Sequence, residues 1–409
     1  MARRLIALAV LLAAGCGGGG EQAVTLQVFA DPDEIAAYEK LIDAFERRAP
    51  GRGIRLVPVD GQDDHQTKLA TSFAAGDPPD LFLINYRRFG QFAARGVLEP
   101  LGERVPAGGL YRVAVDAFRY DGRLQCLPQN VSTPVVYFNT ALFRRAGVPR
   151  PRPDWTWDDV RAAARRLDGG DVTGIGFEPS LNRFAPFVWQ AGGEVVDDPE
   201  KPTRVSLLEP PDREALEFLT GLQHRDAVTL TLAEAEAQSP EERFAAGTLA
   251  MLIESRRATT GLRTVEGLEW DVAPLPVHPR RREPAVMLHA DAYCLTKASR
   301  HKEAATAFVR FALSAEGAAI LARTGRTVPS RRSVAESEAF LDPSQPPASA
   351  QVFLDQIPAI RRFPTLPGWH EIEARADVVA EEWFFGAEPP EALGLEIDIA
   401  TGELFEAEP

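Results

Sequence analysis

Side chains able to run acid–base, nucleophilic or metal chemistry are sparse and poorly grouped in this 409-residue sequence. The six histidines, at 65, 224, 278, 289, 301 and 370, show no metal-ligand spacing. Adjacent acids occur at Asp63-Asp64, Asp158-Asp159 and Asp197-Asp198. Neighbouring carboxylates point in different directions, however, and more often mark a helix start or a solvated face. His370-Glu371 lacks the second histidine of a zinc-protease helix, and no G-x-S-x-G elbow is present. Gly174-Ile175-Gly176 runs on into Phe177-Glu178-Pro179, which is not a dinucleotide fingerprint, and no G-x-x-x-x-G-K-[ST] loop is present. No metal and no cofactor is therefore expected. A glycosidase needs two carboxyls across a cleft, and nothing in the spacing singles out such a pair. The three cysteines, 16, 126 and 294, contain no C-x-x-C, which excludes a zinc ribbon, a thioredoxin-like motif and a disulfide-dense scaffold.

The elements that must position any site read as α/β. Val24 to Phe29 alternates as a strand, and Ile35, Tyr38, Leu41, Ile42 and Phe45 then repeat at helical spacing. Ile54 to Val59 is a second strand and about Asp64 to Ala75 a polar helix. Asp80-Leu81-Phe82-Leu83-Ile84 is a continuous apolar run typical of a buried parallel strand. This order argues for a parallel sheet. Thr156 with Asp159, and Ser239 with Glu242, form capping boxes, Pro240 taking the first helical position. A single long helix is expected from His301 to Ala322, and two closing helices at about 369–385 and 389–406. The net charge of −14, with only five lysines, disfavours nucleic acid as a partner. At 45% hydrophobic and 25% charged residues, the chain can bury a sizeable core.

The first residues are a case apart. Met1-Ala2-Arg3-Arg4 is a short positive stretch, and Leu5 to Ala14 an apolar run too short to span a bilayer. It ends in Leu12-Ala13-Ala14-Gly15-Cys16, followed by four glycines. These residues resemble the lipobox of bacterial lipoproteins, with Ala13 where leucine is usual. The resemblance implies a signal peptide over 1–15, lipidation of Cys16 and a glycine tether over 16–23; an ordinary cleaved signal with a chance cysteine is the alternative. Cleavage removes Arg3 and Arg4, taking the charge from −14 to −16. A body held to a membrane outside the cytoplasm (periplasmic or cell surface) follows.

Several segments together are similar to those of ABC-importer extracellular solute-binding proteins, the carbohydrate-leaning family that includes maltose-binding protein. They are Gly76-Asp77-Pro78-Pro79-Asp80 with Gly96-Val97-Leu98; Tyr120-Asp121-Gly122-Arg123 with Leu127-Pro128 and Val136-Tyr137-Phe138-Asn139; Leu142 to Val148 with Trp155-Thr156-Trp157; Phe244 to Met251; and Lys302-Glu303-Ala304-Ala305 with Val328-Pro329. The resemblance implies a two-lobed, type II periplasmic-binding fold with a ligand cleft between hinged lobes. The first lobe is expected over 24–131 plus 287–335 and the second over 132–286 plus 336–409. Crossings are expected near Asn130–Pro134, near Val286–Leu288 and around 335–345. It further implies a monomer that takes a mono- or oligosaccharide, or a sugar-like solute, and delivers it to ABC permease subunits. A carbohydrate-active enzyme, or a sensory lipoprotein presenting its ligand, are the alternatives. Where relatives are glycine-rich this chain has Leu288-His289-Ala290-Asp291-Ala292, and Ser255-Arg256-Arg257 stands near a usual aromatic; both leave room for an anionic ligand.

Sugars are held by flat aromatic faces and by planar polar groups. The expected contacts are Asp31, Asp33, Asn85, Tyr86 and Arg88 from the first lobe. Asn130 and Thr133 lie on the first crossing, and Asp291 and Tyr293 on the returning strand. Glu178, Trp189, Arg256 and Trp369 complete the set from the second lobe, with core packing the alternative for both tryptophans. In the family the segments holding Cys126 and Cys294 run side by side, so these two are either a disulfide or a pair of buried thiols.

Overall fold

The computed structural model describes residues 23–386 and 390–406. The expected signal peptide, Cys16 and nearly all of the tether lie outside these residues, as does the side chain of Asp33. Val24–Phe29 pairs in parallel with Ile54–Val59 on one side and with Leu81–Asn85 on the other. The helices Pro32–Arg48 and Gln62–Ala74 make the crossovers that parallel pairing requires. Asp291–Thr296, arriving from much later in the chain, lies antiparallel to Leu81–Asn85 and also holds the short strands Leu98–Glu99 and Leu127–Pro128. A second sheet has the order Trp270–Ala273, Val135–Asn139, Leu249–Glu254, Thr173–Gly176, of which only the last pair is parallel.

Strand periodicity divides the second sheet between two cores. Tyr137 faces the first, with Phe244 and Trp270. Val136 and Phe138 face the second, among Trp157, Phe187 and Trp383. The chain passes between the sheets at 129–134 and returns at 286–291, and these two segments are bonded to each other. Ser132 N donates to His289 O at 2.7 Å and His289 N to Ser132 O at 2.8 Å. A later stretch lays Phe340, Phe353 and Leu354 into the first core.

Local chemistry accounts for the helix boundaries. Both capping boxes form, at Thr156 with Asp159 and at Ser239 with Glu242. The long helix expected over 301–322 is two, Lys302–Ala312 and Ala315–Ala322, meeting at 66°. Ser314 starts the second by accepting from Gly317 N. A side chain at 317 would sit 2.2 Å from the Phe311 carbonyl, so only glycine permits the bend.

Cys126 and Cys294 are joined by a disulfide with a Cα–Cα distance of 4.6 Å. The register explains it: Leu127 opposes Tyr293 and Pro128 opposes Ala292, which sets Cys126 across from Cys294. The bond closes a loop of 168 residues containing the whole second sheet. The double variant Cys126→Ser/Cys294→Ser should lose about 2–5 kcal/mol of stability, read as a lowered melting temperature. The native protein should offer no alkylatable thiol at either position before reduction. Two reactive thiols in the unreduced protein would overturn this.

Candidate functional site

A cleft of about 620 Å³ lies between the sheets, lined from both. Its walls are built where strands end. Ala30 and Asp31 follow Val24–Phe29, Asn85, Arg87 and Arg88 complete Leu81–Asn85, and Asp291 opens the returning strand. Opposite them, Glu178 follows Thr173–Gly176, and Glu254 to Arg257 complete Leu249–Glu254. Arg183 projects from the first turn of Leu181–Ala191. Placing a ligand beyond carboxyl strand ends is the general solution of open α/β sheets.

The wall of the first sheet is acidic, and nearly every charge in it is matched. Asp31 caps Pro32–Arg48 by accepting from Glu34 N at 3.0 Å. Arg326 lies 2.7 Å from Asp31 and 2.5 Å from Glu34. Burial nevertheless outweighs Arg326 and pushes Glu34 up to about 7. Arg88 pairs with Asp63 at 2.6 Å, and Arg87 with Glu373 of the closing helix Trp369–Phe385. Asp291 accepts from Asn130 Nδ2 at 2.8 Å and Asn85 Nδ2 at 3.0 Å, and burial raises it.

The facing wall centres on Glu254, which Arg183 reaches at 2.8 Å and Arg257 at 3.2 Å. Burial opposes its ionisation, yet the two guanidiniums and the Ser255 N–H hold it far below the carboxylate range. Arg256 borders the same cleft, but its guanidinium is buried between Phe340 and Phe353, 4.5 and 4.8 Å from the ring centres. Its Nε donates to Gly325 O at 2.6 Å, and burial pushes it down to about 9.

Residues 30–319 match the family of bacterial extracellular solute-binding proteins. The chain belongs to this family. It is a solute-binding protein of an ABC importer with the two-lobed type II fold. It is similar to an ABC substrate-binding protein from Listeria monocytogenes in complex with cycloalternan, at 28% identity and a TM-score of 0.85, covering 93% of this chain and 98% of that one. UgpB from Mycobacterium tuberculosis, in complex with glycerophosphocholine, superposes at a TM-score of 0.82 over 95% and 99% of the chains, at 22% identity. A binding protein of Brucella abortus strain 2308 is 23% identical over 399 residues, 95% of this chain and 94% of that one. Members of the family are extracytoplasmic binding proteins.

Within this solute-binding protein the expected contact residues separate into two groups. Asp31, Asn85, Arg88, Asn130, Glu178, Arg256 and Asp291 line the cleft. Five others do not. Tyr86 turns beneath its helix, donating to Met287 Sδ at 3.4 Å. Thr133 is fully buried and accepts from Gln356 Nε2 at 2.9 Å. Tyr293 is two residues, about 7 Å, further along its strand than Asp291 and lies edge-on to Phe308 in the core. Trp189 and Trp369 both pack on Phe363, with centroids at 6.1 and 4.8 Å. Phe29 is left as the one benzene-ring side chain at the cleft among the described residues, edge-on to His65 at 5.4 Å. Glu34, Arg183, Glu254 and Arg326 were not foreseen. For two of these a local signal exists, an acid ending the apolar run 249–253 and an arginine opening an apolar helix.

Glu34 gives the site a pH dependence. Between the usual carboxylate range and about 7 the folded protein keeps a proton that the unfolded chain releases. Stability therefore falls as pH rises through that window. Glu34→Gln should remove roughly 1–3 kcal/mol of this loss, measured as melting temperature at pH 5 and pH 8. Asp212 and Asp377, also raised by burial, leave a residual slope of the same sign. An unchanged slope in the variant would refute the assignment.

Proposed function

We propose that the protein captures an uncharged sugar or sugar-like solute by closing its lobes on it, and passes it to ABC permease subunits without chemical change. The observation carrying this reading is the pairing of the cleft arginines. Arg87, Arg88, Arg183, Arg257 and Arg326 each already face a carboxylate, and Arg256 is enclosed by phenyl rings. At Arg87, Arg183 and Arg326 an anion would have to displace a carboxylate from a buried or partly buried pair, leaving a charge uncompensated. Hydroxyls need no such exchange, because they donate and accept around groups already paired. The same pairing weighs against the anionic ligand for which the Arg256-Arg257 sequence left room.

The lobes in this reading are 24–131 plus 287–335 and 132–286 plus 336–409, acting as a monomer. Asp31, Asn85, Arg88, Asn130, Glu178 and Asp291 are its contacts. A ligand touching both walls stabilises the closed arrangement by its differential affinity for it. A signal peptide over 1–15 and a lipidated Cys16 on a glycine tether would hold the body outside the cytoplasm beside its permease.

Maltotriose or cycloalternan, at about 100 times Kd, should stabilise the protein by about 2.7 kcal/mol, read as a raised melting temperature. sn-Glycerol-3-phosphate and glycerophosphocholine should shift it little. A shift confined to the phosphate compounds would replace the uncharged-solute reading by an anionic one. The anchor has its own test: Cys16→Ser should move the protein from the membrane pellet to the soluble fraction, and retention in the pellet would exclude lipidation at that residue.

A further inference from the structure

The cleft floor carries polar atoms that the fold leaves unused. Ser132 and His289 lie on the two crossing segments, directly opposite in an antiparallel bridge closed by both backbone hydrogen bonds. Residues so paired present their side chains on the same side, at roughly 5.5 Å between Cα atoms. Both line the cleft, and neither Ser132 Oγ nor His289 Nε2 has a hydrogen-bond partner. A third orphan comes from the facing wall. Arg183 uses Nη1 on Asn182 and Nη2 on Glu254, each at 2.8 Å, while its buried Nε meets nothing.

Orphaned buried polar atoms are rare, because each gives up hydration without return. Glu34 Oε2 and the Arg256 Nη atoms at this cleft also lack a hydrogen bond, but the first faces Arg326 and the others lie between phenyl rings; the atoms on Ser132, His289 and Arg183 point to a missing set of partners. We propose that Ser132 and His289 form a specificity-determining subsite that takes two adjacent hydroxyls of the ligand, with Arg183 Nε donating to the same ligand from the opposite wall. This rests on the uncharged-solute reading and adds to it which atoms select the ligand. Neighbouring hydroxyls suit a serine hydroxyl beside a neutral imidazole, since every member of the set can donate or accept. The imidazole is neutral: burial, reinforced by Arg183 and Arg87, holds His289 well below its usual range. The imidazole itself therefore brings no positive charge to the ligand.

Calorimetric titration of the full-length protein with maltotriose and with cycloalternan tests this. Ser132→Ala and His289→Leu should each weaken the saccharide that binds wild type by about fivefold to tenfold. His289→Gln, which restores a donor and an acceptor, should recover part of the loss. Ser132→Ala should leave the melting temperature of the ligand-free protein unchanged or raised, because its hydroxyl has no partner to lose. Unchanged affinity in both Ser132→Ala and His289→Leu overturns the subsite while leaving the solute reading intact. A lowered ligand-free melting temperature for Ser132→Ala also overturns it, by showing a structural role. Failure of wild type to bind either saccharide defeats the solute reading, and the subsite with it.

Discussion

The buried carboxylate of Asp291 is the tie on which the two-lobed arrangement depends. It accepts from Asn85 at the end of one strand and from Asn130 on the first crossing, while its own N–H donates to Asn130 Oδ1 at 2.9 Å and its carbonyl accepts from Gln129 N at 2.7 Å. One residue thus fixes three chain segments that are far apart in sequence. Two residues before it, His289 pairs with Ser132, so the register of the crossing is set from the same point. Hydrogen bonds to a charged group are worth about 1.5–3 kcal/mol each, enough to offset much of the desolvation that raises Asp291. The hinge and the cleft floor are consequently one structure, and a ligand resting on the floor bears directly on the segments about which the lobes move.

Charge pairing decides what that floor can accept. Arg183 and Arg257 share Glu254, Arg326 is shared by Asp31 and Glu34, and Arg87 reaches across to Glu373. The last pair joins helix Tyr86–Ala94 of the first core to Trp369–Phe385 of the second. Beside it Gly90 lies so close to Leu366 that a Cβ would stand 2.3 Å from its carbonyl oxygen. Elements of the two cores are therefore in contact beside the cleft as well as through the crossings. Buried pairs of this kind add little net stability, yet losing one partner is expensive. Their value here lies in fixing donors in place without presenting a free charge.

Much of the fold was legible because strand and helix periods differ. The alternation of 24–29, the apolar run ending at Ile84 and the two capping boxes each depend on local spacing. Cleft position followed from strand ends, which is why Asp31, Asn85, Arg88 and Glu178 were found. Tryptophan orientation was not legible. In Leu181–Ala191 every residue but Asn182 is buried, so no polar face reveals which way Trp189 points. Arg256 stands at the cleft as its position suggests, yet nothing local foretells that Phe340 and Phe353, some 84 and 97 positions later, will enclose its guanidinium. Arg326 and Glu34 likewise meet only through tertiary folding.

Location and chemistry separate in this molecule. The strand ends that make the cleft belong to the architecture, and that fold is shared with solved proteins at 22–28% identity in complex with cycloalternan or glycerophosphocholine. What the cleft recognises must then reside in side chains that the architecture does not dictate. With both expected tryptophans withdrawn into the second core, Phe29 is the one benzene-ring side chain left at the cleft among the described residues. In the proposed reading, recognition accordingly leans on directional hydrogen bonds. Such contacts discriminate strongly, because a ligand lacking the matching hydroxyl leaves a buried donor or acceptor unpaired. An aromatic platform tolerates many saccharides. In the proposed reading, a floor of fixed polar atoms set by Asp291 selects among them by the positions of their hydroxyls.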